Sequence, residues 1–235
     1  MSAPCAPAAP VPMPGPGRML FFAVPEEARP FERQWRRDGA GRAPGRGGLH
    51  TVVTGMGADN AARAARAHLA RHRPRWVITS GFAGGLDPAL GVGQVVFEAD
   101  GDFPLTPGLQ RAGGRPGVLV QSVRVAVTAG EKRALREATG ADAVEMESSA
   151  IRAVCREAGI PAATVRVISD AADHDLPLDF NALMGPGHRL RMGRLILRVL
   201  SSPRLVPRLL QFQRRVGDAA GCLAQVLTRV LAEED

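Results

Sequence analysis

Ala143-Val144-Glu145-Met146-Glu147-Ser148-Ser149-Ala150 and, further on, Val165-Arg166-Val167-Ile168-Ser169-Asp170 hold the two most informative carboxylates of this 235-residue chain. An apolar run delivers Glu147 to the start of a helix, and a second run delivers Asp170 to the end of a strand. From 147 to 170 is a spacing of 23 positions, which fits one strand–helix–strand unit. Both carboxylates are therefore expected at the carboxyl-end edge of a mostly parallel sheet, where open α/β sheets bind ligands. Two acids with separate neighbours can divide the work, one staying ionised to grip hydroxyls while the other carries a proton.

Outward from this unit, strands are expected over 19–24, 49–53, 76–79, 92–98, 118–127, 143–145 and 162–168. Helices are expected over 25–35, 58–71, 131–138 and 148–158. Pro25 at a first turn and Gly159 at an end are the start and stop residues such helices favour. Alternating strands and helices argue a three-layer α/β/α sandwich with a mixed, mostly parallel central sheet. Three parts follow: a disordered Pro/Ala-rich leader over 1–18, an α/β domain over 19–185, and an Arg-rich amphipathic helical extension over 186–235. The extension reads first as one or two helices packing their apolar stripe on the core and, as the sharper alternative, as a basic surface for a membrane or partner. A start of translation at Met19 stays open beside Met1.

The net charge of +7 comes almost wholly from arginine, Lys132 being the sole lysine. Arginine spread along the whole chain beside abundant Ala, Gly and Pro reads first as the habit of a GC-rich genome. The alternative is attraction to an anionic surface. Near absence of lysine, total absence of tyrosine and the lack of a motif argue against nucleic acid. Three cysteines make no disulfide framework, and a reducing, cytoplasmic setting is expected. No run is apolar enough to cross a membrane. Asp173-His174-Asp175 reads as a surface loop, and no metal is expected.

Two glycine-rich turns are expected after strands, Thr54-Gly55-Met56-Gly57 and Ser80-Gly81-Phe82-Ala83-Gly84-Gly85. Bare amides in such turns can hold an oxyanion, so Gly55 and Gly57 are candidates for a phosphate or water site. Neither turn has the spacing of a dinucleotide fingerprint or a P-loop.

Glu145-Met146-Glu147 paired with Arg166-Val167-Ile168-Ser169-Asp170 resembles the nucleoside phosphorylase superfamily, and within it the methylthioadenosine/S-adenosylhomocysteine nucleosidases. Ala23-Val24-Pro25-Glu26-Glu27 resembles that branch's acidic first loop. A narrower resemblance, through Glu131-Lys132-Arg133-Ala134-Leu135, Ala172-Asp173, Leu176-Pro177 and Ser201-Ser202-Pro203-Arg204-Leu205-Val206-Pro207, is to the hopanoid-associated phosphorylases. These resemblances imply cleavage of the N-glycosidic bond of a 5′-substituted adenosine with release of adenine. Adenosylhopane is the first substrate, and methylthioadenosine or S-adenosylhomocysteine the alternative. A silent nucleoside-binding module is disfavoured, because all three expected acids are present.

The roles implied are Asp170 donating a proton to, or hydrogen-bonding, purine N7, Glu27 as base for a water, and Glu147 as acceptor of the ribose hydroxyls. Met146, Glu145, Phe82, Gly84, Arg166 and Ser169 join the substrate-binding set. An anionic carboxylate holds the sugar more strongly as positive charge grows on it. Water and phosphate both remain as nucleophile; a carboxylate at Glu27 repels a phosphate dianion, while an arginine such as Arg63, Arg66 or Arg166 would attract one. No cofactor is implied beyond phosphate as co-substrate. Phe82 stands where the nucleosidases carry serine, and Val127-Thr128-Ala129-Gly130 lacks the purine-clamping phenylalanine of that branch, a departure that suits a larger or more lipophilic 5′-group. A homodimer is expected, with peripheral contact at the inner membrane face through the extension.

Overall fold

The computed structural model describes residues 17–38, 48–185, 201–202 and 205–234. Most of the leader and the segment 186–200 thus lie outside the described residues. Eight strands form one sheet: β1 (Arg18–Phe22), β2 (Leu49–Val53), β3 (Trp76–Gly85), β4 (Val95–Ala99), β5 (Arg115–Pro116), β6 (Leu119–Gln121), β7 (Ala143–Glu145) and β8 (Ala162–Asp170). The main path runs β2-β1-β3-β8-β4-β5, with β7 pairing both β3 and β6. Strands β2, β1, β3 and β8 are parallel, β4 is antiparallel to β8, and β7 is antiparallel to β3. The expected mixed, mostly parallel sheet is present.

Among the described residues seven helices cover it: α1 (Pro25–Arg37), α2 (Ala58–Leu69), α3 (Thr106–Arg111), α4 (Ala129–Thr139), α5 (Ser148–Glu157), α6 (Phe180–Leu183) and α7 (Leu205–Ala232). On one face Phe31 and Trp35 of α1, Leu109 of α3 and Leu223, Leu227 and Val230 of α7 pack on Leu20, Trp76 and Val165. On the other, Ala61 and Ala65 of α2 and Ile151 and Val154 of α5 pack on Met19, Phe21 and Val77. Small residues on α2 let it lie close to the sheet, which is the packing use of its alanine-rich sequence.

Three expectations change. The strand β1 begins inside the expected leader, at Arg18, whose buried side chain reaches Glu234 at 3.3 Å. The expected strand over 118–127 shrinks to three residues, because Ser122 turns the chain by accepting from the Arg124 amide. The short helix α3 was missed, since Thr106-Pro107-Gly108 reads as loop. In the C-terminal region the apolar stripe does pack on the core as first expected: Ala219, Leu223, Leu227 and Leu231 are almost fully buried, and Glu234 accepts from the Trp76 indole at 2.6 Å. Only the first half of α7 stands out from the body, with Val206 and Leu210 exposed. No helix among the described residues is long and apolar enough to cross a membrane.

Candidate active site

The acids converge by a route different from the one their spacing implies. Because β7 is antiparallel to β3, the unit β7–α5–β8 is no parallel crossover. Strand β7 instead enters beyond the carboxyl end of β3, Val144 lying opposite Gly84, and runs back along it. Glu147, at the N-cap of α5, then reaches the mouth of β2, while Asp170 ends β8 opposite the same Gly84. Both carboxylates do stand at the carboxyl-end edge of the parallel strands.

Glu27 joins them through local helix chemistry. It occupies the third position of α1, and its Oε2 turns back to accept from the amides of Ala23 and Val24 at 2.8 and 3.2 Å. This is the reach-back half of a capping box. Its Oε1 accepts from the Phe82 amide at 2.9 Å. The expected second glycine turn is therefore strand, β3 continuing through Gly85 with a bulge at Ala83/Gly84. Its glycines make room for the acids. A Cβ on Gly81 would fall 2.4 Å from Glu27 Oε1, and one on Gly84 would fall 3.3 Å from Asp170 Oδ2. Gly84 thus borders the acid, while Phe82 contributes its amide and packs its ring against the main core.

Arg166 on β8 is the hub of this side. Its Nη2 donates to Glu145 Oε2 at 2.8 Å and to Thr79 Oγ1 at 3.2 Å, with 2% of the residue exposed. Glu145 spends its oxygens inside the protein, accepting from the amides of Glu147 and Ser148 and from the Ser148 hydroxyl. It thus fixes the start of α5, and with it Glu147. Glu147 Oε1 accepts from the Gly57 amide at 2.7 Å. Gly57 caps α2 with φ of 90°, a conformation glycine tolerates. The Gly55 amide donates to Ala23 O at 3.0 Å, so both glycine amides expected at a phosphate or water site have protein acceptors.

Burial sets the charges. Desolvation pushes the Glu27 carboxyl up to about 7, although Arg166 and the Phe82 amide pull the other way. Desolvation likewise raises Glu147. At Glu145 burial acts upward too, but the Arg166 guanidinium and the hydrogen bonds from Glu147 and Ser148 outweigh it, and the carboxyl lies below its ordinary value. Desolvation works against the Arg166 charge, yet Glu145, Glu147 and Glu27 together hold the guanidinium above its usual value. Its Nε and Nη1 are buried without a partner among the described residues.

Asp170 has separate company. Ser169 donates to Oδ1 at 2.6 Å, and the Lys132 ammonium lies 2.5 Å from Oδ2. Lys132, fully buried on α4, was not singled out from the sequence as a site residue. Met146 lies half-buried between the two glutamates in sequence. Arg63 bonds Asn60 and Arg66 pairs with Glu157, so neither is directed at the acids. No cluster of three or more metal-ligating side chains occurs among the described residues.

The family model described as "Phosphorylase superfamily" matches residues 23–100 and 115–201, the spans that carry all of these acids. The chain belongs to the Phosphorylase superfamily. Among curated relatives of this superfamily member, the 5′-methylthioadenosine/S-adenosylhomocysteine nucleosidase of Glaesserella parasuis is 26% identical over 172 residues, 57% of this chain and 72% of that one. The enzyme of the same name from Staphylococcus aureus is 26% identical over 168 residues, 57% and 74% of the two chains. Among solved structures, a 5′-methylthioadenosine/S-adenosylhomocysteine nucleosidase from Helicobacter pylori, determined with butyl-thio-DADMe-Immucillin-A, aligns with TM-score 0.68 at 16% identity, covering 93% of this chain and 98% of that one. Futalosine hydrolase from the same organism aligns at 0.66 and 16%, with the same coverage. The superfamily fold is shared across nearly the whole chain.

Proposed function

We propose that this superfamily member cleaves the N-glycosidic bond of a 5′-substituted adenosine, releasing adenine, with water as nucleophile. The observation that carries this reading is the pairing of Glu27, buried and poised near neutrality, with Asp170 at one sheet edge. The C1′–N9 bond breaks with its electron pair moving into the purine, and Asp170 passes a proton to N7 so that the base departs neutral. Water adds to C1′ and gives its proton to ionised Glu27. Glu147 accepts from the ribose hydroxyls and tightens its hold as the sugar gains positive charge. Glu145 acts at one remove, through its grip on the amides that set Glu147.

Hydrolysis is favoured over phosphorolysis for two reasons. Three buried glutamates share one guanidinium, an environment hostile to a phosphate dianion. The glycine amides that would cradle such an anion already serve Ala23 O and Glu147. The test is adenine release from 5′-substituted adenosines with and without phosphate. Release in phosphate-free buffer supports hydrolysis; strict dependence on phosphate makes the enzyme a phosphorylase and removes the water-activating role of Glu27. The named relatives favour methylthioadenosine or S-adenosylhomocysteine as substrate.

The substrate we favour is adenosylhopane, on the strength of the resemblance to hopanoid-associated phosphorylases and the missing purine clamp. The outward half of α7 supports it, with Arg208, Arg214 and Arg215 beside exposed Val206 and Leu210, a composition suited to an anionic bilayer at the cytoplasmic face. Competition between lipid-tailed and soluble nucleosides decides between the substrates. The assembly we propose is a homodimer, checked by sedimentation velocity.

A further inference from the structure

Lys132 is the one lysine among 30 basic residues, and it is completely buried. A chain that uses arginine at every other basic position keeps an ammonium here, in a position with no access to water. Burying such a charge is costly unless the surroundings satisfy all of it. They do: Nζ donates to Ala171 O at 2.7 Å and His174 O at 2.9 Å, and pairs with Asp170 Oδ2 at 2.5 Å. Two backbone carbonyls accept from the compact head group and a carboxylate faces its charge, an arrangement that a planar, forked guanidinium does not reproduce.

The helix that presents it is fixed to the same loop. Thr128 caps α4 and accepts from the Glu131 amide at 3.1 Å, while Glu131 reaches back to the amides of Val127 and Thr128. Asp175 accepts from the Ala129 amide at 2.8 Å, and the Leu176 amide donates to Val127 O. The loop after Asp170 is thus bolted to the first turn of α4 at three places, and the innermost bolt is the ammonium on the acid itself.

We propose that Lys132 is the positioning residue of Asp170. Together with the Ser169 hydroxyl on Oδ1, it clamps both carboxyl oxygens and the loop behind them, so that the acid meets the departing purine in a single orientation. Lys132 touches no substrate. This role rests on the adenine-releasing reading, in which Asp170 serves the base.

The lone lysine permits a direct test. In full-length protein carrying [ε-15N]lysine, one side-chain signal is expected, with ammonium protons that exchange slowly near neutral pH and a resonance that moves in Asp170→Asn. A fast-exchanging signal indifferent to Asp170→Asn overturns the proposal, and this arm survives if the Lys132 variant does not fold. In the kinetic arm, Lys132→Met lowers kcat for adenine release about a hundredfold with KM changed less than about threefold, the signature of a misplaced catalytic group. Added to Asp170→Asn, the same change lowers kcat no further, because the group it positions is already gone. Equal losses in both backgrounds, or an unaltered kcat in Lys132→Met, overturn the role while leaving the functional reading standing. A wild-type chain that releases no adenine sinks the functional reading and this role together.

Discussion

The two sides of the sheet edge hold their acids by opposite means. On the β1–β2 side, Glu27, Glu145 and Glu147 crowd around Arg166, so that one positive charge serves three carboxylates and burial keeps two of them reluctant to ionise. At the end of β8, Asp170 has an ammonium to itself and a neighbouring hydroxyl. A group that must take a proton from water near neutrality gains from the first setting. A group that must meet one nitrogen of a flat base in one orientation gains from the second. The two settings differ in the number of charges that share one cation.

Breaking either side alone sharpens the comparison, and the largest effect is expected at the β8 end. Asp170→Asn keeps the shape of the side chain but removes the carboxyl group proposed to serve the purine, and adenine release measured spectrophotometrically should fall about 10²–10⁴-fold. Next comes Arg166→Met, which leaves buried carboxylates without their shared cation; thermal or denaturant unfolding should show a loss of about 3–5 kcal/mol. A smaller change, Gly81→Ala, drives a methyl into the Glu27 carboxylate. It should cost about 1–3 kcal/mol of stability and abolish most turnover, yet leave the lysine signal of the Asp170 side unmoved.

The smallest effect is in pH. Glu27 works as a base only when ionised, so with its carboxyl near 7, kcat/KM should fall about tenfold between pH 8 and pH 6. A flat profile over that range removes Glu27 as the base. The sign for stability is the reverse: the folded chain retains this proton after the unfolded chain has lost it. The resulting stabilisation is complete below the ordinary glutamate value of 4.5 and disappears as pH rises through about 7.

Sequence alone captured the sheet edge and the acids on it, because apolar runs such as 162–168 and the Glu-Met-Glu segment carry local, periodic signals. Strands β2 and β7 have the bounds their hydrophobic pattern implies. It misread Gly81–Gly85, since glycine is depleted in strands and reads as turn. The cause is tertiary: the room is taken by carboxylates from α1 and β8, and no local pattern reports that. Lys132 was hidden because a lysine inside a polar helix ordinarily points to water. The only available signal was its solitude among arginines. The second half of α7 was legible for the opposite reason, since the near-helical spacing of Leu223, Val226, Leu227, Val230 and Leu231 announces an apolar stripe that packs on the core.

That last helix bears on how the protein is made. Trp76 and Phe31, a third of the way or less along the chain, share a core with Leu227 and Val230, and the Trp76 indole finds its acceptor at Glu234. Synthesis proceeds from the other end. Until α7 has left the ribosome, this face of the sheet is covered, among the described helices, by α1 and α3 alone, and the apolar surface that α7 will bury stays exposed, the kind of surface chaperones engage. Among the described elements α7 is the last to be made, so its share of this core can close only after the strands that carry the acids are in place.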